Sequence, residues 1–390
     1  MKCDIIIPIW NQLDHTRQCV EHIVKNTSYP YRLILIDNAS DAETRAYLEG
    51  IAKPGALGKD IEVRLIRNNE NAGFVKAVNQ GMKLSDAPYI CVFNNDTIPA
   101  SGWLERMIDF AANHDDVGLV NPVCGGHGDK PIDAYAKELA KNKDKYMEMN
   151  QCQGFCMLVK RELINKIGYL DEVFGIGGYD DTDYSMRAHH AGYRSVAIHD
   201  AYVYHRIHAS FDKAGNREHW VRRNQKIYYK KWGKHLRAGV AMSFAGNDVM
   251  TLQKAILFAY GLAREWTWVH LWINTAAGAK KLDEMVKAIL EKKGLAPHQN
   301  IRIDRFNLPK ALFGLALSGK LVERIRKRMR DKRFDAVVIL DDAAAGPVAL
   351  CAKAVNTFVE RLSVQDECDD WLKRGKETAL SIKEKQKKYA

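Results

Sequence analysis

The sequence lacks long apolar runs, paired-cysteine motifs and internal repeats. No apolar run approaches the roughly 20 residues that a membrane-spanning helix needs. The eight cysteines include no C-x-x-C pair, and the spacing of Cys152 and Cys156 is more typical of reduced, packed thiols than of zinc ligands. The opening residues MKCDIIIPIW are too short and too strand-like for a signal peptide. We therefore expect a cytoplasmic protein, with peripheral contact at the inner face of the membrane left open.

Acidic residues are outnumbered by basic ones. The chain has 59 Lys and Arg against 48 Asp and Glu, which gives a net charge of +11. This balance favours anionic partners, namely nucleic acid, anionic lipid or phosphorylated substrates. Zinc-finger spacing and RNP-like aromatic motifs are missing, so nucleic acid is the weakest of the three. A chain of 390 residues with 46% hydrophobic content predicts one large domain or two ordinary ones.

Strand-like and helix-like segments alternate through residues 1–120. The continuous apolar runs CDIIIP, RLILID and YICVF are typical of buried parallel strands, and apolar residues at helical spacing follow them. Repeated units of this kind predict an α/β fold with a mostly parallel sheet sandwiched by helices. Further strands are predicted at GFCMLVK, YRSVAIH and AYVYH, and a basic, aromatic helix over 221–239 closes a first domain that spans residues 1–245.

Residues 246–390 are predicted to form a second, smaller α/β domain without a motif that assigns its role. The segments KAILFAY, NIRIDRF and DAVVILDD are predicted strands, and residues 275–293 are a predicted charged helix. In LVERIRKRMRDKRF, Leu321, Val322, Ile325 and Met329 share one helical face among basic residues. This pattern favours a role in recruitment to an acceptor or to an anionic membrane.

Polar residues follow three of the predicted strands. Pro8 to Asn11 end the first, Asp37 and Asn38 end the second, and Asn94 to Asp96 end the fourth. All three groups should meet at the carboxyl edge of one sheet, where a nucleotide can lie across them. Asp37 has two interpretations of equal weight. It could accept the ring N–H of a uracil or thymine, or cap a helix that begins near Ala42.

The segment NNENAGFVKAVNQG, residues 68–81, is a glycine-containing turn that opens a helix. Helix N-termini favour anions, but the segment matches neither the Walker nor the G-x-G-x-x-G pattern and is a weak phosphate loop. Lys76 could assist a diphosphate there, or it could be an ordinary solvent-exposed lysine.

Three carboxylates follow a glycine-rich stretch in FGIGGYDDTDYSMR. Asp180, Asp181 and Asp183 should repel one another, which tends to raise one pKa toward that of a useful base. A calcium loop is the alternative, but the glycine and terminal glutamate of an EF-hand are missing. Asp183 could instead cap a helix. His205 and His208 end a predicted strand, and only contact between His205 and Asp96 would favour a metal-binding role over a structural one.

Six segments, taken together and in order, resemble the family 2 glycosyltransferases of the GT-A fold, especially the rhamnosyltransferase-like members. They are IIIPIWNQ, LILIDNASD, NNENAGFVKAVNQG, FNNDTIPASGWL, GFCMLVKRELINKIGYLDEVFGIGGYDDTDYSMRAHHAGYRS and YVYHRIHASF. Each is moderately specific by itself, and the six in order are a strong signal. The resemblance covers residues 3–235.

The resemblance implies an inverting transfer of a sugar from a UDP- or dTDP-sugar to a hydroxyl of a glycan or lipid-linked saccharide. It implies that Asp181 is the general base and Asp180 the acceptor-facing partner. Asp96 and His205 would hold Mn²⁺ or Mg²⁺, where Asn94 replaces the first acid of the D-x-D motif. Asp37 would read the pyrimidine. The predicted donor-binding residues are Pro8, Trp10, Asn11, Asp37, Asn38, Asn71, Gly73, Lys76, Asn79, Asn94, Asn95 and Asp96.

Two other classes of function compete with this interpretation. One is a non-catalytic module that binds sugar nucleotide or glycan and docks through its basic second domain. The segment YDDTD favours the enzyme, because a binding module needs no base. The other is a nucleotidyltransferase, which would want a basic glycine-rich loop after the first strand, where this chain has PIWNQLDH. The choice of sugar and acceptor is expected to lie in loops such as 124–150.

Overall fold

The computed structural model describes residues 2–206, 217–244, 246, 248–326, 333–340, 345–355, 357–363, 368 and 370–389. The chain divides into two compact units, Met1–Gly233 and Lys234–Ala390. The boundary predicted at residue 245 comes after the strand Arg237–Ser243. The structure ends the first unit earlier because this strand pairs with Trp268–Asn274 and Ala336–Ile339 in the second sheet.

The first unit is built on a sheet of nine described strands. They are β1 (Cys3–Ile9), β2 (Tyr31–Asp37), β3 (Glu62–Arg67), β4 (Tyr89–Phe93), β5 (Thr97–Pro99), β6 (Val117–Val123), β7 (Tyr146–Met149), β8 (Cys156–Lys160) and β9 (Arg194–His205). Their order is β3-β2-β1-β4-β8-β6-β9-β5, and β7 also pairs with β9. Strands β3, β2, β1 and β4 run parallel, whereas β8 is antiparallel to both β4 and β6.

Helices follow most of these strands. They are α1 (Leu13–Asn26), α2 (Ala42–Ile51), α3 (Phe74–Leu84), α4 (Trp103–Ala112), α5 (Ile132–Leu139), α6 (Arg161–Ile167), α7 (Asp180–His190) and α8 (Arg217–Trp232). Ile5 and Ile7 of β1 join Val20 and Ile23 of α1 in one core cluster. Ile6 points the other way and lies against Gly81 of α3. Helices therefore cover both faces of the sheet, which confirms the predicted α/β class.

Two predicted elements of the first unit differ in extent. YRSVAIH and AYVYH form one continuous strand, β9, because it pairs along its length with β6, β7 and β5. The helix predicted over 221–239 ends at Trp232 in the structure. Residues 234–239 of the predicted helix belong to the second unit instead.

The second unit contains a five-stranded parallel sheet. Its strands are β10 (Arg237–Ser243), β11 (Trp268–Asn274), β12 (Ile301–Phe306), β13 (Ala336–Ile339) and β14 (Phe358–Arg361), in the order β12-β11-β10-β13-β14. Its described helices are α9 (Val249–Arg264), α10 (Ala279–Lys292), α11 (Lys310–Arg326), α12 (Ala345–Ala354) and α13 (Trp371–Tyr389). The expectation of a second α/β unit is thus confirmed. Across the described residues, no helix combines the length and apolar character needed to cross a membrane.

The prediction of a strand at KAILFAY is wrong, because these residues belong to α9. The helix is buried around most of its circumference by the strands β10 and β11 and by α13. Gly261 permits the close crossing with α13, since a Cβ added there would lie 2.0 Å from the carbonyl oxygen of Leu372. Burial on all these sides removes the helical periodicity that would have identified the element.

Candidate active site

The carboxyl ends of β2 and β3 carry a network of asparagines. The side-chain amide of Asn38 donates to Oδ1 of Asn71 at 2.7 Å. Its Oδ1 accepts from Nδ2 of Asn68 at 3.0 Å and from the backbone N–H of Ala72 at 2.9 Å. Asn38 therefore fixes the loop before α3 against the end of β2, where a nucleotide was predicted to lie.

Asp37 is buried beside this network, and its charge is compensated. Its carboxylate accepts the backbone N–H of Ser40 at 2.8 Å and forms an ion pair with Arg67. The helix α2 is capped instead by Asp41, which accepts the N–H of Thr44 at 2.9 Å. The capping alternative for Asp37 is thus wrong, and its pyrimidine-reading role stays a prediction.

The turn after β4 presents polar oxygens that lack partners. Oδ1 of Asn94 and Oδ1 of Asp96 are buried, and neither has a hydrogen-bond partner among the described residues. Nε2 of His205, at the end of β9, lies 3.2 Å from Oδ1 of Asp96 and 3.4 Å from Nδ2 of Asn94. The structure therefore brings His205 to Asp96 as the metal hypothesis requires. His208 lies outside the described residues.

These groups fit a divalent cation, although they do not enclose one. A carboxylate oxygen, an amide oxygen and an imidazole nitrogen are ligands that Mn²⁺ accepts, and Mg²⁺ shares the preference for oxygen. Nowhere in the described part of the chain do three or more His, Cys, Asp or Glu side chains cluster as a metal site. Asp96 and His205 thus supply only part of the ligand set that the metal hypothesis requires.

The acidic pair opens α7. Oδ1 of Asp181 accepts the N–H of Thr182 at 2.7 Å, and Oδ2 accepts the N–H of Gly154 at 3.2 Å. Burial raises the pKa of the Asp181 carboxyl, whereas these two N–H donors oppose the rise. Burial and, next, the charge of Asp181 raise the pKa of Asp180 to about 7. These surroundings therefore favour a protonated Asp180 beside an ionised Asp181.

Gly154 and Phe155 connect the acidic pair to the turn after β4. The backbone N–H of Gly154 donates to the carboxylate of Asp181. The next residue, Phe155, accepts the backbone N–H of Asn94 at 2.9 Å with its carbonyl oxygen. Its ring stacks on the imidazole of His205 with centroids 5.2 Å apart. Two consecutive residues thus hold the candidate base and the candidate metal ligands in one assembly.

The glycine-rich stretch before the acidic pair is anchored from two sides. Asn224 of α8 is fully buried, and its Nδ2 donates to the carbonyl oxygens of Phe174, Gly177 and Gly178 at 2.8, 3.0 and 3.1 Å. On the other side, Gly73 (φ +84°) lies against Gly175, where a Cβ would approach the Gly175 oxygen to 2.9 Å. The predicted donor loop and the acidic loop are therefore in direct contact.

Asp183 has a structural environment. It is fully buried, and its carboxylate binds Nε of Arg187 at 2.9 Å, Nζ of Lys231 at 2.8 Å and Nε1 of Trp232 at 2.7 Å. These partners satisfy its charge and attach α8 to α7. Of the three carboxylates in the cluster, Asp183 is therefore the one committed to packing.

The remaining predicted donor-binding residues are spread around the same edge. Asn11 accepts the N–H of Asp41 with its Oδ1 at 2.7 Å. Pro8 and Trp10 are half-buried, and Lys76 is exposed.

Asn79 and Asn95 are bound inside the unit. The amide of Asn95 donates to Oγ1 of Thr16 at 2.9 Å, and that of Asn79 to the carbonyl of Leu170 at 2.9 Å. Both side chains thus bind the protein interior.

Several residues of this site were not found from the sequence. Arg67, Gln151 and Asn224 reach Asp37, Asp181 and the glycine-rich stretch respectively. Arg206 donates its backbone N–H to the carbonyl of Asp96 at 3.1 Å. These residues lie outside recognisable motifs or far along the chain from their partners. They reach the candidate site only through the packing and register of the folded strands and helices.

Residues 4–168 match the model of the family described as Glycosyl transferase family 2. The matched segment runs from β1 through α6 and lies within the first unit. The first unit therefore contains a region that is similar to glycosyltransferase family 2, and this match covers less than half of the chain. The match ends before Asp180, Asp181 and His205, so it does not test their roles.

Two relatives and one solved structure illustrate the similarity. The chain is 26% identical over 260 residues to the uncharacterized protein y4gI of Sinorhizobium fredii, a match that covers 59% of this chain and 27% of that protein. It is 23% identical over 256 residues to the glycosyltransferase GlyG of Streptococcus pneumoniae, covering 61% and 82%. The crystal structure of S. aureus TarS 1–349 in complex with UDP-GlcNAc aligns with a TM-score of 0.41 at 16% identity, covering 52% of this chain and 58% of that one.

Proposed function

We propose that the protein transfers a sugar from a nucleotide-diphosphate donor, a UDP- or dTDP-sugar, to a hydroxyl of a glycan or lipid-linked saccharide with inversion. The observation that carries the proposal is the assembly around Gly154 and Phe155. It holds a carboxylate of raised pKa beside a turn with unpartnered oxygens, at the ligand-binding edge of a glycosyltransferase domain.

In this mechanism Asp181 acts as the general base. The acceptor oxygen attacks C1 of the sugar and forms the new glycosidic bond. The bond from C1 to the diphosphate oxygen breaks on the opposite face, which inverts the configuration at C1. The acceptor proton moves to the Asp181 carboxylate, and the electron pair of the broken bond leaves with the nucleoside diphosphate.

The acidic pair supports this assignment of proton positions. The N–H groups of Gly154 and Thr182 stabilise the ionised form of Asp181, which is the form that accepts a proton. Asp180 is more deeply buried and holds a proton up to a pH of about 7. A pair of carboxyl groups whose surroundings separate their pKa values in this way is typical of acid–base sites.

The departing diphosphate needs positive charge nearby. A Mn²⁺ or Mg²⁺ ion bound by Asp96 and His205, with Asn94 as a neutral oxygen ligand, would supply it. Because Asp96 is the only carboxylate among these ligands, the donor's own phosphate oxygens would complete the coordination shell.

A role in recruitment is proposed for the second unit, with the inner face of a membrane as its predicted place. The first unit contains 30 Lys and Arg and 30 Asp and Glu, whereas the second contains 29 and 18. The whole excess of positive charge therefore belongs to the second unit, which makes it the better candidate for an anionic surface.

The Asp181→Asn variant tests the catalytic proposal. We expect turnover to fall by at least ~10²-fold, the lower end for a lost base, while donor binding remains. Donor binding can be measured by thermal shift against a panel of nucleotide sugars with and without Mn²⁺, and turnover by release of nucleoside diphosphate.

Asp86→Asn is the matched control, because Asp86 is an exposed carboxylate that precedes β4 at the opposite edge of the sheet. It should keep wild-type turnover. A turnover of Asp181→Asn within a few-fold of wild type would remove Asp181 from the role of base. If the wild-type protein binds a sugar nucleotide but turns none over, the result favours the alternative of a non-catalytic binding module.

A further inference from the structure

The outward face of α11 in the second unit is apolar. Leu312, Leu315 and Val322 are 49%, 58% and 47% exposed. Residues three, four or seven positions apart lie on one face of a helix, so these three side chains form a single stripe along α11. Gly319 lies on the same face, and Glu323, four positions beyond Gly319, places a charged residue at the C-terminal end of the stripe.

The inward face of α11 is apolar as well. Phe313, Leu317 and Leu321 are buried and pack in one core cluster with Trp272 of β11 and Phe334. A helix at the surface of a globular unit normally turns polar residues to the solvent, and a helix that is apolar on both faces normally has a partner on each. The stripe therefore needs an explanation beyond the packing of the second unit.

The neighbouring helix α12 also carries an exposed apolar side chain. Oγ of Ser318 in α11 donates to the carbonyl of Pro347 in α12 at 3.1 Å, which joins the two helices on one side of the sheet. Leu350 of α12 is 77% exposed, more than any other large apolar side chain of the described residues. Leucines on both helices are therefore turned to the solvent.

Strong positive charge accompanies the stripe in the sequence. Residues 310–333 contain nine Lys and Arg against two acidic residues. Residues 327–332 of this segment, part of the predicted basic helix, lie outside the described residues, so only their charge enters the argument. An exposed apolar stripe on a unit of high positive charge is typical of proteins that bind anionic lipid bilayers.

We propose that the stripe Leu312, Leu315 and Val322 of α11 docks the protein onto an anionic membrane surface. The leucines would enter the boundary between headgroups and acyl chains, and the net positive charge of the second unit would attract the anionic headgroups. Two other partners fit less well. Binding of nucleic acid would not explain the exposed leucines. A second copy bound through the same face would bring two basic segments together, and these would repel each other. The inference gives the recruitment role a surface and does not depend on the transfer reaction.

Sedimentation of the full chain with vesicles tests the proposal without measuring turnover. The probes are vesicles of phosphatidylcholine alone and of phosphatidylcholine with about one third phosphatidylglycerol. Wild type should bind the anionic vesicles at least ~10-fold more tightly than the neutral ones, and added salt should weaken this binding.

Variants of matched exposure identify the surface. Leu312→Ser combined with Leu315→Ser should weaken binding to the anionic vesicles at least ~10-fold. Leu380→Ser should leave it unchanged, because Leu380 is a leucine of similar exposure, 42%, on α13 of the same unit. Leu315→Trp should strengthen binding, since tryptophan favours the membrane interface.

Three outcomes would overturn the proposal. One is a lack of preference for the anionic vesicles. Another is equal binding by the Leu312 and Leu315 double variant and by Leu380→Ser. The third is a concentration-dependent dimer, seen by analytical ultracentrifugation, that the double variant abolishes, because the stripe would then bind a second copy. A wild-type melting temperature in the double variant excludes misfolding as the cause of weaker binding.

Discussion

The two units of this protein are both α/β structures, but they differ in charge and in surface. The first has as many acidic as basic residues and collects its unusual polar groups at the carboxyl edge of its sheet. The second holds the entire net charge of +11 and exposes apolar side chains on α11 and α12. The two sheets thus carry different features: the first carries the candidate active site, and the second carries the surface proposed to bind a membrane.

The comparison leads to the expectation that the functions of the units can be separated by mutation. Gly261→Ala should destabilise the second unit by about 3 kcal/mol, because the new Cβ would lie 2.0 Å from the Leu372 carbonyl oxygen in α13. Binding of nucleotide sugar by the first unit should persist. Calorimetric unfolding together with donor titration measures both quantities.

Gly319→Ala is the control for this variant. Gly319 lies within α11 and has no atom within 4 Å of the position of an added Cβ, so alanine there should be neutral or stabilising by up to about 1 kcal/mol. Loss of donor binding in Gly261→Ala at a temperature where the first unit remains folded would contradict the separation.

A second prediction concerns the cost of the buried acidic pair in the first unit. Because the folded protein raises the pKa of Asp180 from 3.8 to about 7, its contribution to stability is complete below pH 3.8 and is lost as the pH rises toward 7. Asp180→Asn removes this loss. The variant should be more stable than wild type at neutral pH, by on the order of 2 kcal/mol, and the difference should vanish near pH 4.

Asp86→Asn should behave in the opposite way. A hydrogen bond from Arg32 lowers the pKa of Asp86, so its contribution is present above pH 3.8 and is lost as the pH falls. Urea unfolding at several pH values compares the two variants. A stability difference for Asp180→Asn that does not change with pH would show that its carboxyl is not held protonated.

The smallest expected effect concerns the turn after β4. Wild type should bind Mn²⁺ weakly alone and clearly in the presence of nucleoside diphosphate, and each ligand should tighten the other by the same factor. Asn94→Asp adds a second carboxylate, so it should strengthen Mn²⁺ binding without nucleotide by about tenfold, or ~1.4 kcal/mol. Calorimetric titration measures both.

Asn95→Asp provides the matched control for metal binding, because the side chain of Asn95 is engaged with Thr16 and not with His205. It should leave Mn²⁺ affinity unchanged. Tight Mn²⁺ binding by the nucleotide-free wild type would contradict the partial-site interpretation. Metal-dependent donor binding that survives Asp96→Ala would do so as well.

The elements that were predicted correctly are those whose surroundings leave a pattern in the sequence. Strands β1, β2 and β4 are buried on both faces and read as apolar runs, and the polar groups that follow them mark the edge of the sheet. The prediction failed for α9, because burial on most sides gives this helix an apolar run that looks like that of a buried strand. Length and flanking residues were the remaining signals that could have separated the two cases.

In the candidate site, local motifs located the acidic pair and the turn after β4, but not the residues that hold them. Asn224 is nearly 50 positions along the chain from the three carbonyls that it binds, and its surroundings in the sequence read as an ordinary basic helix. Contacts of this kind depend on where α8 packs, which no nearby residue encodes.

The pairing of Gly154 with Asp181 and of Phe155 with Asn94 has a consequence for the evolution of chain length. Adjacent Cα atoms are separated by a fixed ~3.8 Å, so a residue inserted here would displace the candidate base relative to the candidate metal ligands by several ångströms, a shift of the size that lowers catalytic rates. Among relatives, insertions and deletions should therefore avoid residues 153–155. We expect them to be more frequent in the stretch 124–145, where the choice of acceptor is predicted to lie.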